Sequence, residues 1–229
     1  MIYRLQSTVS TMIDAAALAA RGEPHGTVVV AAEQTGGIGR HGHSWHSPGA
    51  GLYLSIILRQ SASTPILTMA LGLAVQRAVD DVAGVSTDIR WPNDLILNEK
   101  KLAGIIVQSA DKGALIAGIG LNVNQSSFPA DLRAIATSLR IETGHDHAKD
   151  VLLDRILAES LRYAGLSKTA IIRKFAESST YVRGKHVEVE GKIRGITAGL
   201  DEDGFLLVET STGIERILAG GVRPIERPV

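Results

Sequence analysis

The residues best placed by type and spacing to do chemistry fall in four short stretches. TGGIGRHGHSWHSP (35–48) holds four glycines in fourteen residues, with Arg40, Trp45 and three histidines. Gly36, Gly37, Gly39 and Gly42 let backbone N–H groups approach an anion closely, and Arg40 adds a permanently charged fork for carboxylate or phosphate. No Gly-Lys-Ser/Thr follows, so this is not a phosphate-binding P-loop, and the spacing is not that of a dinucleotide fingerprint. A flexible surface loop explains the glycines equally well. His41, His43 and His46 invite a zinc reading, but a glycine-rich loop is poorly preorganised and no acidic residue or cysteine completes a ligand set. Solvated loop histidines are the stronger reading.

RWPND (90–94) sets a tight corner between polar groups. Asn93 and Asp94 can offer an amide and a carboxylate to a nucleotide or a magnesium ion, or simply close a turn. In KKLAGII (100–106) a lysine opens a buried strand beside Gly104. Lys100 reads as solvated, whereas Lys101 is open between a strand-end charge and a cleft group. In GIGLNVN (118–124) two glycines inside a strand suggest close approach of a ligand or another backbone, and Asn122 can bond a base edge or pair within a sheet.

These stretches need elements to carry them. Residues 10–20 are alanine-rich behind Ser10 and Thr11, either of which can cap a helix. Residues 27–32 and 52–58 read as buried strands, and 65–82 has helical apolar spacing. Residues 88–91 and 95–97 read as short strands. Residues 102–108 and 114–123 form a strand pair through the turn Asp111-Lys112-Gly113. Residues 130–138 are expected to be a short helix, and 150–165 and 171–177 amphipathic helices. After residue 179 the character changes to short strands at 186–190, 193–198, 204–209 and 214–219, which suggests a small all-β barrel. The expected architecture is α+β, in two units, 1–179 and 180–229.

The chain has 229 residues, with 24 Lys plus Arg against 24 Asp plus Glu. That neutral balance argues against nucleic-acid binding through a broad surface. The absence of cysteine removes disulfides, thiolate metal sites and a thiol nucleophile. The first residues carry no signal-peptide pattern, and no apolar run is long enough to span a membrane. A cytoplasmic protein is the expectation.

Taken in order, STM (10–12), EQTGGIGRHGHSWHSP (33–48), LYLS (52–55), RWPNDLIL (90–97), KLAGIIVQ (101–108), GIGLNVN (118–124) and ATSL (136–139) resemble the biotin–protein ligases, over nearly the whole chain. The resemblance implies a mixed-sheet catalytic domain related to class II aminoacyl-tRNA synthetases, followed by an SH3-like barrel. It implies ATP-dependent formation of biotinyl-AMP with Mg2+, then transfer of biotin to a lysine of a biotin carboxyl carrier protein. With so few residues before STM, no N-terminal DNA-binding domain is expected. The resemblance leaves monomer and homodimer both open.

By resemblance, Lys101 and Arg40 act at the reacting centre. Ser10, Thr11, Met12 and Gln34 hold biotin, with the backbone of Gly37, Ile38, Gly39 and Arg40. Gly104, Ile106, Gly118 and Leu121 form the pocket wall. Trp45 packs on adenine, His43 lies on the nucleotide side, and Asn93, Asp94 and Asn122 help hold the adenylate. Arg223 is a weaker candidate for the phosphates. Relatives often carry arginine where Ile38, His41 and His43 stand here. The loop is expected to close over the adenylate, and a protonated His43 or His41 to aid its formation. A lipoate or octanoate ligase and a non-catalytic biotin-binding protein are the alternatives. The first lacks its usual glycine-rich motif here, and the second leaves Arg40, Lys101, Asn93 and Asp94 without a purpose.

Overall fold

The computed structural model describes residues 1–59 and 63–225, except for the side chain of His41. The histidine expectation at position 41 and the last four residues of the expected second unit therefore lie outside the described residues.

A seven-stranded mixed sheet carries the first part of the chain. Its strands are β1 (Ile2–Thr8), β2 (Val28–Gln34), β3 (Leu52–Leu58), β4 (Asp88–Arg90), β5 (Asp94–Leu97), β6 (Lys100–Ser109) and β7 (Leu115–Leu121), in the order β1-β2-β3-β7-β6-β5-β4. Only β1 and β2 pair in parallel. All seven residues of β3 are buried, as expected of an apolar run in a central strand covered on both faces.

Helix α1 (Thr11–Ala20) covers one face. Its buried residues are Thr11, Met12, Ala15 and Ala19, and the alanines let it lie close to the strands. Ser10 occupies its N-cap position but makes no side-chain capping bond. The other face carries α2 (Thr64–Ala83), α4 (Lys149–Ala164) and α5 (Lys168–Ser178), with the larger core between. A short α3 (Leu139–Thr143) precedes α4.

A second sheet holds β8 (Arg183–Val189), β9 (Ile193–Leu200), β10 (Leu206–Thr210), β11 (Gly213–Ile217) and β12 (Val222–Pro224), all antiparallel in the order β11-β10-β9-β8-β12. Val187, Val189, Leu206 and Val208 join the larger core, and Trp91 Nε1 donates to Gly204 O across the junction at 3.0 Å.

The structure adds one element and corrects two expectations. β1 has no counterpart in the sequence pattern: IYRLQST alternates exposed and half-buried positions along a sheet edge, so it lacks the apolar signal of a buried strand. Residues 130–135 form turns rather than a helix, because the backbone at 135–137 pairs with Lys101. The second sheet is not closed into a barrel among the described residues: β11 and β12 end its strand order unpaired with each other. No helix among the described residues is long and apolar enough to cross a membrane.

Candidate active site

A cleft of about 610 Å³ opens between the N-terminus of α1, the glycine-rich segment, β5–β7 and the second sheet. Its floor is rich in glycine. Gly104 faces Gly120 across β6 and β7, and Ile106 faces Gly118. Trp45 lies on the first pair: a β-carbon on Gly120 would sit 2.5 Å from its Nε1, and one on Gly104 would sit 3.1 Å from its ring. Met12 lies on the second, with its sulfur 2.5 Å from a β-carbon built on Gly118. A side chain at Gly120 would displace the Trp45 ring, and one at Gly118 would push Met12 aside.

One end of the cleft is neutral and polar. Gln34 Oε1 accepts from the Thr11 backbone N–H at 2.9 Å and from Thr11 Oγ1 at 3.2 Å. Its Nε2 donates to Ser47 Oγ at 2.9 Å, and Ser47 Oγ donates to Trp45 O at 3.0 Å. These bonds fix which way the amide points. Ser10 Oγ is buried in the cleft wall with no hydrogen-bond partner among the described residues. Buried polar groups in folded proteins are nearly always satisfied, so an unsatisfied one in a cleft marks where a ligand's polar atom belongs.

The other end is charged. Lys101 Nζ lies 2.6 Å from Asp94 Oδ1, and Arg90 Nη2 lies 2.8 Å from Asp94 Oδ2. Burial alone would raise the Asp94 pKa. The charges of Lys101 and Arg90 outweigh it and hold the carboxyl below its ordinary range. Lys101 Nζ also stands 5.2 Å from the centre of the Trp45 ring. Arg40 donates to Asn93 Oδ1 at 3.1 Å and to Gly220 O at 3.5 Å, so it touches both sheets' loops. Burial lowers its pKa, opposed by Asp94 and Glu190; a guanidinium stays charged all the same. Asn93 Nδ2 donates to Ile105 O at 3.0 Å, leaving its oxygen for Arg40.

The glycine-rich segment folds as a small hairpin. Gly39 N donates to His43 O, Trp45 N donates to Gly37 O, and Ile38 bridges Ser44. His43 is exposed at the mouth.

Most of the residues singled out in the sequence meet here. Ser10, Thr11, Met12 and Gln34 line the polar end. Ile38, Gly39, Arg40, His43 and Trp45 arrive with the hairpin. Asn93, Asp94 and Lys101 line the charged end, and Gly104, Ile106 and Gly118 the floor.

Three do not line it. Gly37 is packed behind the hairpin, where a β-carbon would meet Ser47 Oγ at 2.6 Å. Leu121 is wholly buried in the larger core on the opposite face, because it alternates with Gly120 along β7. Asn122 is buried just past the strand end, donating to Thr137 O and accepting from Gln125 Nε2.

Gly120, Glu188 and Glu190, not among the candidate residues of the sequence, also line the cleft, as does Arg223. The second glycine of GIG carried a legible signal. The glutamates carried none, since only the packing of the second sheet brings them near. Among the described residues, no three His, Asp or Glu side chains are grouped to hold a metal ion.

Comparison with known proteins agrees with this geometry. Residues 2–125, more than half of the chain, match the Biotin/lipoate A/B protein ligase family, and 183–222 match the Biotin protein ligase C terminal domain. The bifunctional ligase/repressor BirA of Bacillus subtilis is 36% identical over 93% of this chain and 70% of its own length. The biotin–[acetyl-CoA-carboxylase] ligase of Mycobacterium tuberculosis is 31% identical over 94% of this chain and 85% of its own. The biotin protein ligase of Aquifex aeolicus, solved with biotin and ATP, superimposes with a TM-score of 0.89 at 32% identity, covering 98% of this chain and 99% of that one. With both parts of the chain matched and the lysine-centred cleft formed between them, the chain belongs to the biotin/lipoate A/B protein ligase family, among its biotin protein ligases.

Proposed function

We propose that this cleft joins biotin to ATP, giving biotinyl-AMP and pyrophosphate, and then passes the biotinyl group to a lysine of a biotin carboxyl carrier protein. The observation that carries the reading is the joining of two unlike ends in one cleft. Thr11, Gln34, Ser47 and the unpartnered Ser10 hydroxyl suit a neutral ring with fixed donors and acceptors. Lys101 and Arg40 suit two anions that must be brought together.

In the first step the biotin carboxylate oxygen forms a bond to the α-phosphorus while the bond to pyrophosphate breaks. Both partners are negative, so fixed positive charge is needed where they meet. Lys101 supplies it, and Asp94 holds its ammonium in place. Trp45 offers a flat apolar face for the adenine on the glycine floor. In the second step the carrier amine attacks the acyl carbon and AMP departs. The hairpin 38–44 closes over the mixed anhydride and keeps water from hydrolysing it.

A magnesium ion would neutralise phosphate oxygens. The chain fits an ion delivered on ATP rather than one held in a cage of its own, because among the described residues no three His, Asp or Glu side chains are grouped to hold one, and Asp94 and Glu188 are already paired with cations. Thr180 is proposed as the division between the catalytic unit and the C-terminal unit.

The deciding assay supplies ATP, Mg2+, a carrier domain and either labelled biotin or labelled lipoate. Carrier labelled by biotin and not by lipoate is the expected result. Labelling by lipoate alone would transfer the reading to a lipoate ligase. Biotin binding with no adenylate formed would leave a binding protein.

A further inference from the structure

Lys101 stands where the pairing of β6 changes. On one side it faces Ile96, beside a register shift between Leu95 and Ile96. On the other, pairing with β7 begins only at Ala103. A separate segment fills that gap. Lys101 N donates to Ile135 O at 2.8 Å, and Thr137 N donates to Lys101 O at 3.0 Å, so Ala136 bridges Lys101 in parallel. The peptide groups of Lys101 are thus held by a strap from outside the main sheet.

The strap is fastened by one carboxylate. Thr137 Oγ1 donates to Glu142 Oε1 at 2.5 Å. The other oxygen, Glu142 Oε2, accepts from Asn98 Nδ2 at 2.5 Å. Asn98 and Glu99 form the two-residue turn between β5 and β6, both left-handed at φ 48° and 65°, closed by the pair Leu97 and Lys100. Glu142, on α3, therefore grips the hairpin turn on one side of Lys101 and the strap on the other. Asn122 adds a second tether, donating to Thr137 O at 2.9 Å.

We infer that Glu142 is a positioning residue for the adenylation step, clamping Asn98 and Thr137 so that the Lys101 ammonium stands at the reacting centre. The inference rests on the role proposed above for Lys101. Glu142 does not line the cleft and touches no reacting atom. Its effect belongs to geometry, where a shift of about 1 Å far from the chemistry can cost up to about 10²-fold in rate.

The test measures biotinyl-AMP formation by the full chain with biotin, ATP and Mg2+, separating kcat from KM, with Lys101→Ala as the floor. Glu142→Ala is expected to lower kcat by about five- to fiftyfold while both KM values stay within about twofold, as expected when ground-state binding is untouched. Glu142→Gln falls between, since its amide satisfies only one of the two donors. Thr137→Val behaves like Glu142→Ala, and Thr137→Ser restores the rate. In the Glu142→Ala background, Asn98→Gly has little further effect, because coupled residues are not additive.

An unchanged kcat in Glu142→Ala overturns the clamp, as does a raised KM alone. If Glu142→Ala does not fold, the Thr137→Val and Thr137→Ser pair decides: equal rates in the two overturn it. A wild-type chain that forms no adenylate removes the ligase reading and the clamp together, whereas normal wild-type turnover with normal Glu142→Ala turnover removes the clamp alone.

Discussion

Trp45 rests directly on Gly120, with the indole Nε1 where a β-carbon of residue 120 would come to 2.5 Å. Gly120→Ala must therefore displace the ring, at an overpacking cost of about 1–3 kcal/mol. Gly104→Ala makes a milder contact, 3.1 Å, with the ring edge. Calorimetric titration is expected to show ATP affinity falling by about tenfold or more in Gly120→Ala and by less in Gly104→Ala. The reverse order would show that Trp45 does not form the nucleotide platform.

Lys101 and Asp94 make separable contributions. Lys101→Met removes the charge at the reacting centre and is expected to slow adenylate formation by at least ~10²-fold. Lys101→Arg is not expected to restore it, since a planar fork cannot replace a point charge at this spacing. A single-turnover rate for pyrophosphate release decides both.

Asp94 also ties stability to pH. Its folded pKa is depressed by Lys101 and Arg90. A depressed carboxyl contributes stability that is complete above the unfolded value of about 3.9 and is lost as pH falls through the folded value. Asp94→Asn strips a mostly buried pairing from two cations, a loss of about 1–3 kcal/mol near pH 7, below the cost of breaking a fully buried pair because Lys101 is partly exposed. The gap in Tm between wild type and Asp94→Asn is expected to be full above about pH 5 and to narrow below about pH 4. A gap that does not change with pH would rule out the linkage.

His147 gives a slope of the same sign in a higher window. Thr143 Oγ1 donates to Leu139 O at 2.8 Å, so its oxygen accepts from His147 Nε2 at 2.8 Å, and the neutral ring carries its proton on Nε2. Burial first, then the charge of His145, lowers the His147 pKa. The unfolded chain binds that proton more readily, so stability is complete above about pH 6.5 and is lost as pH falls below it. The Tm of wild type should decline between about pH 6.5 and 5 more than that of His147→Asn. Matching declines would remove His147 as the cause.

Closure of the hairpin 38–44 can be read by proteolysis. Arg40 lies half-buried in the hairpin, held by Asn93 and Gly220. Biotin and ATP together are expected to slow tryptic cleavage after Arg40 at least about fivefold, as ligand-stabilised loops open less often. Biotin and ATP that leave the cleavage rate unchanged would argue against a closing loop.

Much of this molecule is local enough to read from residue order. LYLSIIL has no polar face to turn to solvent beyond Ser55, and it is an interior strand with the bounds its apolar run implies. STM opens α1 and RWPND spans the corner between β4 and β5, while KLAGII runs along β6 with Lys101, Gly104 and Ile106 turned to the same face, so residues of all three reach one cleft. Elsewhere local pattern was a poor guide. IYRLQST looks like nothing in particular because an edge strand is held by pairing with β2 more than by buried apolar faces. Residues 130–135 have helix-forming composition and close turns on themselves, yet Ile135 O and Thr137 N bond to Lys101, which ends the coil before a helix can run on.

By itself, the sequence determined the α+β class, the motif-bearing segments and the family resemblance, since these follow from periodicity and short spacings along the chain. Only the tertiary structure decided that Leu121 faces the core while Gly120 faces Trp45, that Glu188 and Glu190 reach the cleft, and that Glu142 grips both sides of Lys101. Strand register and the docking of one sheet on another set which atoms meet. Both depend on pairings between residues far apart in the chain, and no local spacing encodes them.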